Sequence, residues 1–175
     1  IADPACQRQE QDGRSFYRVH TLHAVLVSAS GQPVIGQQLV RGTTNEMGTF
    51  GSFFAWLMKT YGRAGWMREL VSVDAGMVSA AHAQRIDAAG VGYLMAIKET
   101  QATLLREAER LCGRGRRRGV VGAASHTSAM EHYQGRRIRR ELFRSGEMRE
   151  WPGWESVRQV WRVKQTTRHQ DGHEE

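Results

Sequence analysis

A strand, a helix and a second strand in direct succession constrain the fold of this chain most. Leu70–Val73 form a short β-favouring run, and residues 91–97 form a continuous apolar one. Between them, an Ala75-Gly76 turn leads into an alanine-rich segment over residues 77–89 that Gly90 closes. Strands joined by a helical crossover pair in parallel, so the pattern predicts an α/β fold with parallel strands.

The residues before this unit predict an antiparallel hairpin followed by a helix. Residues 16–28 alternate and then become wholly apolar, as in a strand that enters the interior of a sheet. A turn over residues 30–33 connects them to a second strand over residues 34–41. Capping residues at 43–46 then begin a helix that ends at Gly62. Its apolar face comprises Phe50, Phe53, Phe54, Leu57 and Met58.

The second half predicts one more helix and two antiparallel strands. Leucines at helical spacing indicate a helix over residues 101–111, and residues 113–127 contain a basic, glycine-rich loop without a periodic apolar face. Strands follow over residues 135–145 and 156–166, and residues 168–175 form a frayed polar tail. With 175 residues, the chain is expected to form one domain with a mixed sheet.

Charge and composition favour an acidic partner. Lys and Arg number 25 against 18 Asp and Glu, a net charge of +7 that favours polyanions, with nucleic acid as the leading partner. Arginine supplies 22 of the 25 basic residues, which the coding bias of a GC-rich genome also explains. No apolar run approaches the roughly 18 residues of a membrane span, and the two isolated cysteines fit a reducing cytoplasm.

Asp74 is the strongest single candidate for chemistry. It follows Leu70–Val73 directly, and ligands of open α/β sheets gather at the carboxyl ends of strands. The competing interpretation is structural, because a strand-end aspartate commonly caps the next helix. His20 and His23 lie three apart on a strand, on opposite faces, and are not expected to chelate a metal together.

Five sequence blocks give this pattern a family context. They cover nearly the whole chain, in the family's order, and together they resemble insertion-sequence transposases of the DDE type. The blocks are VHTLHAVLVS (19–28), TNEMGTF (44–50), VSVDAGMVSAAHA (71–83), GYLMAIKETQATL (92–104) and WPGWESVRQVWRV (151–163). The resemblance implies an RNase H-like mixed sheet over residues 1–175, incomplete as a catalytic domain.

In this family, three acidic residues hold two Mg²⁺ or Mn²⁺ ions for DNA strand cleavage and transfer. Asp74 matches the second acidic residue, and Asp3 matches the first, although Pro4-Ala5 replaces the Gly-Lys that relatives carry there. Asp12-Gly13 resembles the same motif but is better explained as a loop turn. No residue matches the third carboxylate, which is expected beyond residue 175, so this chain is expected to be an inactive fragment. The weak candidates for that position are Glu131, Glu141, Glu174 and Glu175.

The basic residues are candidates for holding DNA phosphates. Lys98 follows the strand over residues 91–97, where an ammonium at a sheet edge could hold a phosphate or simply mark a strand end. Two arginine clusters could neutralise phosphates or form solvated surface. They contain Arg114, Arg116, Arg117 and Arg118, and Arg136, Arg137, Arg139 and Arg140.

The functional interpretation is a DNA transposase that acts on element ends and target DNA. The resemblance also allows a homodimer of the full-length protein. The alternatives are a non-catalytic basic DNA-binding remnant and an RNase H-like nuclease. Core or turn packing explains the aromatic residues near the last strand better than base stacking does. These residues are Trp151, Trp154 and Trp161.

Overall fold

The computed structural model describes residues 6–27, 31–42, 44–63, 69–113, 124–133, 135–149 and 151–168. The chain divides into two compact units, Ile1–Ala96 and Ile97–Glu175. The described residues form three α-helices, short 3₁₀ turns and nine strands in three sheets. No helix within these ranges has the length and apolar character that crossing a membrane requires.

An antiparallel sheet opens the first unit. It contains β1 (Cys6–Gln11), β2 (Arg14–Val25) and β3 (Val34–Val40), with β2 in the middle. β2 and β3 confirm the predicted antiparallel hairpin. β1 was not predicted, because its sequence, CQRQEQ, lacks an apolar alternation. Asp12 and Gly13 connect β1 to β2 with φ angles of 52° and 72°, the left-handed conformation that two-residue hairpin turns need. Asp12 is therefore a turn residue, as predicted.

Helix α1 (Glu46–Tyr61) supplies the centre of this unit's core. The Asn45 side chain caps it by accepting the Gly48 amide at 2.9 Å, and Gly62 ends it. The predicted face is confirmed, with Met58 only partly buried and the other four residues buried: Phe50, Phe53, Phe54 and Leu57. Each such side chain stabilises the fold by about 1.5–3 kcal/mol relative to exposure.

The predicted strand–helix–strand unit is confirmed with narrower bounds. β4 (Leu70–Val73) and β5 (Gly92–Met95) pair in parallel, and α2 (Ala80–Ala88) connects them. The helix begins later than residue 77 because the chain first makes a 3₁₀ turn over Ala75–Met77. The Ser79 hydroxyl then caps α2 by accepting the His82 amide at 3.1 Å.

The second unit contains one helix and a four-stranded antiparallel sheet. α3 (Ala102–Cys112) precedes β6 (Ala124–Thr127), β7 (Glu131–Tyr133), β8 (Arg136–Ser145) and β9 (Val160–Arg168). β8 pairs with each of the other three strands. The core of this second unit comprises Leu104, Ala108, Leu111, Cys112, Met148 and Val160.

Two predictions for this unit need correction. Residues 124–127, expected in the basic loop, form β6, and residues 114–123 of that loop lie outside the described residues. β9 begins at Val160 rather than at residue 156, because the chain still turns at Trp154, whose carbonyl accepts the Val157 amide at 2.9 Å. Trp151 and Trp154 pack against the core as expected, but Trp161 is 52% exposed and does not fill it.

The α/β class is confirmed, but one continuous mixed sheet is not. Within the described residues, the early antiparallel strands, the parallel pair and the late antiparallel strands form three separate sheets. The reason is that β4 has β5 as its only partner there, so no ladder of backbone hydrogen bonds joins it to β2. β2 is also more exposed than predicted, with Leu22 its only buried residue.

Candidate functional site

Asp74 lies where the sequence predicts it, directly after the carboxyl end of β4. Its side chain is exposed and accepts the Ala75 amide at 2.6 Å, and its carbonyl accepts the Met77 amide at 2.8 Å. The aspartate therefore caps the 3₁₀ turn, as the structural interpretation expected. The cap uses one carboxylate oxygen and fixes the group in place, which leaves its other oxygen for a ligand.

A cavity of about 860 Å³ opens beside Asp74 within the first unit. Residues 21–27, at and after the end of β2, line it, as do residues 69–74, which contain β4, and apolar side chains of α1. Three carboxylate residues share this lining: Glu46, Glu69 and Asp74. The cavity thus combines an apolar wall with acidic groups, the combination expected of a site for a cationic ligand.

Glu46 is the residue that the sequence analysis missed. It appeared there only within the capping stretch at 43–46, yet its carboxylate lies 2.9 Å from His20 Nδ1. The hydrogen bond from His20 lowers the pKa of Glu46, its own backbone amide lowers the pKa further, and desolvation opposes both. Helical spacing could have revealed it, because Glu46 precedes Phe50 by four residues and so shares the core-facing side of α1.

His20 links this carboxylate to β2. Its Nδ1 contacts Glu46, and its Nε2 is buried without a hydrogen-bond partner among the described residues. His23 is exposed, and its ring nitrogen lies 2.7 Å from the Thr21 hydroxyl. The two histidines have different partners, and residues three apart on a strand point to opposite faces of its sheet.

The donor set suits a hard divalent cation, although it is sparse. Within the described ranges, no three His, Cys, Asp or Glu side chains come close enough to hold a metal ion. Mg²⁺ typically keeps several waters and uses only one or two protein carboxylates, so the exposed carboxylate of Asp74 matches its chemistry. Asp3, the other predicted ligand, lies outside the described residues.

The predicted DNA contacts lie in the second unit. Lys98 is exposed at the start of the 3₁₀ turn Glu99–Gln101, and its amide donates to Gln101 Oε1 at 2.9 Å. Arg136 and Arg137 are exposed at the beginning of β8 and, as neighbours on a strand, point to opposite faces of its sheet. The remaining predicted contacts, Arg116, Arg117 and Arg118, lie outside the described residues.

Comparison with known proteins adds no relative to this picture. A scan against protein-family models, a search of curated proteins and a search of solved structures each return no match. The likeness to DDE transposases therefore rests on the sequence blocks, and the candidate site rests on the geometry around Asp74.

Proposed function

We propose that this chain serves in DNA transposition, as part of an RNase H-like catalytic domain that cleaves and transfers DNA strands with divalent metal ions. The observation that carries the proposal is the anchored carboxylate of Asp74 at the carboxyl end of a parallel strand. It lines a cavity together with Glu46 and Glu69. The proposed fold is consistent with the order of an antiparallel hairpin, a helix and a parallel pair along the first unit.

The chemistry follows from the oxygen ligands. Two divalent ions at a phosphodiester activate the attacking water or 3′-hydroxyl and stabilise the leaving oxygen. Asp74 would hold them together with Asp3, and Mg²⁺ or Mn²⁺ prefers such carboxylate oxygens. Glu46 adds a further carboxylate to the lining of the same cavity.

Binding of Mn²⁺ tests this proposal directly. Electron paramagnetic resonance of free Mn²⁺ would be followed as the full chain is added, for the wild type and for Asp74→Asn. Asp12→Asn is the matched control, because it removes an equal charge from an exposed turn in which asparagine tolerates the positive φ. We expect Mn²⁺ uptake by the wild type and by Asp12→Asn, and its loss in Asp74→Asn. Equal uptake by all three chains would contradict the proposal.

A second candidate is a non-catalytic protein that holds DNA by charge alone. The observation that favours it is the uneven distribution of charge, since residues 97–175 contain 17 Lys and Arg against 11 Asp and Glu. Under this function, Asp74→Asn would change neither Mn²⁺ uptake nor DNA binding. The same titration therefore separates the two candidates.

A further inference from the structure

Strands β8 and β9 concentrate positive charge. Together they contain eight Lys and Arg residues and one acidic residue, Glu141. Side chains alternate between the faces of a sheet, so the antiparallel register divides these cations into two groups. One group, called here the basic face, comprises Arg137, Arg139, Arg162, Lys164 and Arg168.

Like charges meet on the basic face. Arg137 lies directly opposite Arg168, and Arg139 follows on the same side of β8. The acidic residue of the two strands, Glu141, lies opposite Lys164, with 3.9 Å between carboxylate and ammonium. Among the described residues, neither Arg137 nor Arg139 forms an ion pair. The charges of Arg137 and Arg139 are therefore not neutralised by an ion pair within the described residues.

The other face of the same strands is arranged differently. Arg140 forms an ion pair with Glu131 of β7 and also donates to Gln165 Oε1 at 3.2 Å. Arg144 lies opposite Trp161 rather than opposite another cation. Within β8 and β9 this face contains three cations, Arg136, Arg140 and Arg144, against five on the basic face.

We propose that the basic face binds the phosphate backbone of duplex DNA without reading its sequence. Alternate residues of a strand lie about 6.6–6.8 Å apart and paired strands about 4.8 Å apart, so the exposed cations of this face form a compact array. Arg162 is the exception, because it is half-buried against the Phe143 ring. Arginine binds phosphate oxygens in a bidentate way, and each phosphate neutralised releases counterions. The charge of the basic face would attract any polyanion. That this polyanion is DNA rests on the proposed function.

The test compares two double variants of the full chain that remove the same charge. Arg137→Gln with Arg139→Gln alters the basic face, and Arg106→Gln with Arg144→Gln alters exposed residues of the same unit outside that face. Binding to a mixed-sequence DNA duplex would be measured by fluorescence anisotropy at several salt concentrations. The slope of log affinity against log salt counts the phosphates contacted.

We expect the basic-face variant to lower the magnitude of this slope by about 2, and the control to leave it nearly unchanged. Equal losses in both variants would overturn the proposal, because binding would then follow net charge alone. It would also be overturned if the wild type did not bind, or if it preferred duplex RNA over DNA. Misfolding cannot imitate the expected result, because thermal unfolding of each variant is measured alongside. Asp74→Asn is expected to bind DNA as the wild type does. The result for the basic face is therefore independent of the Mn²⁺ result for Asp74, and either proposal can fail while the other stands.

Discussion

The two units of the chain differ in charge and in the composition of their cores. Residues 1–96 contain 8 Lys and Arg against 7 Asp and Glu, whereas residues 97–175 contain 17 against 11. The first core is built on the phenylalanines of α1, while the second combines aliphatic side chains with Cys112 and Met148. The acidic cavity therefore belongs to the nearly neutral unit, and the dense cationic surface belongs to the other.

This difference suggests a division of tasks. Carboxylates hold a divalent cation best where few cations compete with it, and the lining of the cavity contains acidic groups without any Lys or Arg among the described residues. Phosphate binding has the opposite need, a surface where guanidinium groups outnumber carboxylates, as on β8 and β9. The predictions below test the physical basis of each unit, beginning with the largest expected effect.

The first unit depends on the aromatic face of α1. Phe54 is 3% exposed and stacks on Phe50 with ring centroids 5.6 Å apart. Phe54→Ala should therefore lower the free energy of unfolding by about 3–5 kcal/mol, measured by urea denaturation. Val163→Ala in the second unit is the control, because Val163 is 61% exposed and its loss should change stability by less than about 0.5 kcal/mol. A loss below about 1 kcal/mol for Phe54→Ala would show that α1 does not anchor this core.

Close packing of β3 against α1 predicts a smaller effect. A Cβ atom at Gly36 would lie 2.7 Å from Cζ3 of Trp56, so the ring would have to move. Gly36→Ala should destabilise the chain by about 1–3 kcal/mol in thermal or urea unfolding. Gly76→Ala is the matched control, since a Cβ there meets no atom within 4 Å. Similar stability of the two variants would argue against the close contact.

The Glu46–His20 pair predicts a pH-dependent contribution. Glu46→Gln removes the carboxylate and its favourable position at the start of α1, and should cost about 0.5–1 kcal/mol at pH 7, allowing for the partial exposure of the pair. The pKa of Glu46 is lower in the folded protein than its ordinary value of 4.5. Its contribution is thus fully present above about pH 4.5 and is lost as the pH falls through the folded-state pKa.

Unfolding of the wild type and of Glu46→Gln between pH 3 and pH 7 checks this prediction. The difference in stability should shrink on acidification. A difference that stays constant over this range would show that ionisation of Glu46 contributes nothing.

The like-charge pair on the basic face predicts the smallest effect, with the opposite sign. Arg137→Gln should raise the free energy of unfolding by about 0.2–0.5 kcal/mol at low salt, because it removes repulsion from Arg168. Salt screens such repulsion, so the gain should diminish in thermal unfolding at 1 M salt. Arg136→Gln, at the neighbouring position on the other face, should give no comparable gain. A loss of stability in Arg137→Gln would contradict the repulsion.

Local patterns predicted the elements whose periodicity is strong. The apolar spacing of α1, the run at β4 and the alternation of β8 correspond to observed elements because their side-chain repeats match a helix or a strand. β1, β6 and β7 were missed because they are short or polar, and pairing with a neighbouring strand defines them. Division into three sheets also depends on pairing between distant residues, which local patterns do not encode.

The candidate site shows the same limit. Asp74 could be predicted from its position at the end of an apolar strand. Glu46 lines the same cavity but belongs to another element, α1, which tertiary packing brings there. The cluster at residues 136–140 was recognised as basic, but only the register with β9 shows which arginines share a face. The position of a residue within one segment was thus predictable, whereas the meeting of residues from two segments was not.

A crossed comparison of two variants tests the division of tasks most directly. Mn²⁺ uptake and the salt slope of DNA binding would both be measured for Asp74→Asn and for Arg137→Gln with Arg139→Gln. Asp74→Asn is predicted to lose Mn²⁺ uptake and to keep the wild-type salt slope of DNA binding. The arginine variant is predicted to keep Mn²⁺ uptake, while the magnitude of its salt slope falls by about 2. If Asp74→Asn retained full Mn²⁺ uptake, or if the arginine variant kept the wild-type slope, the assignment of these tasks to the two units would be contradicted.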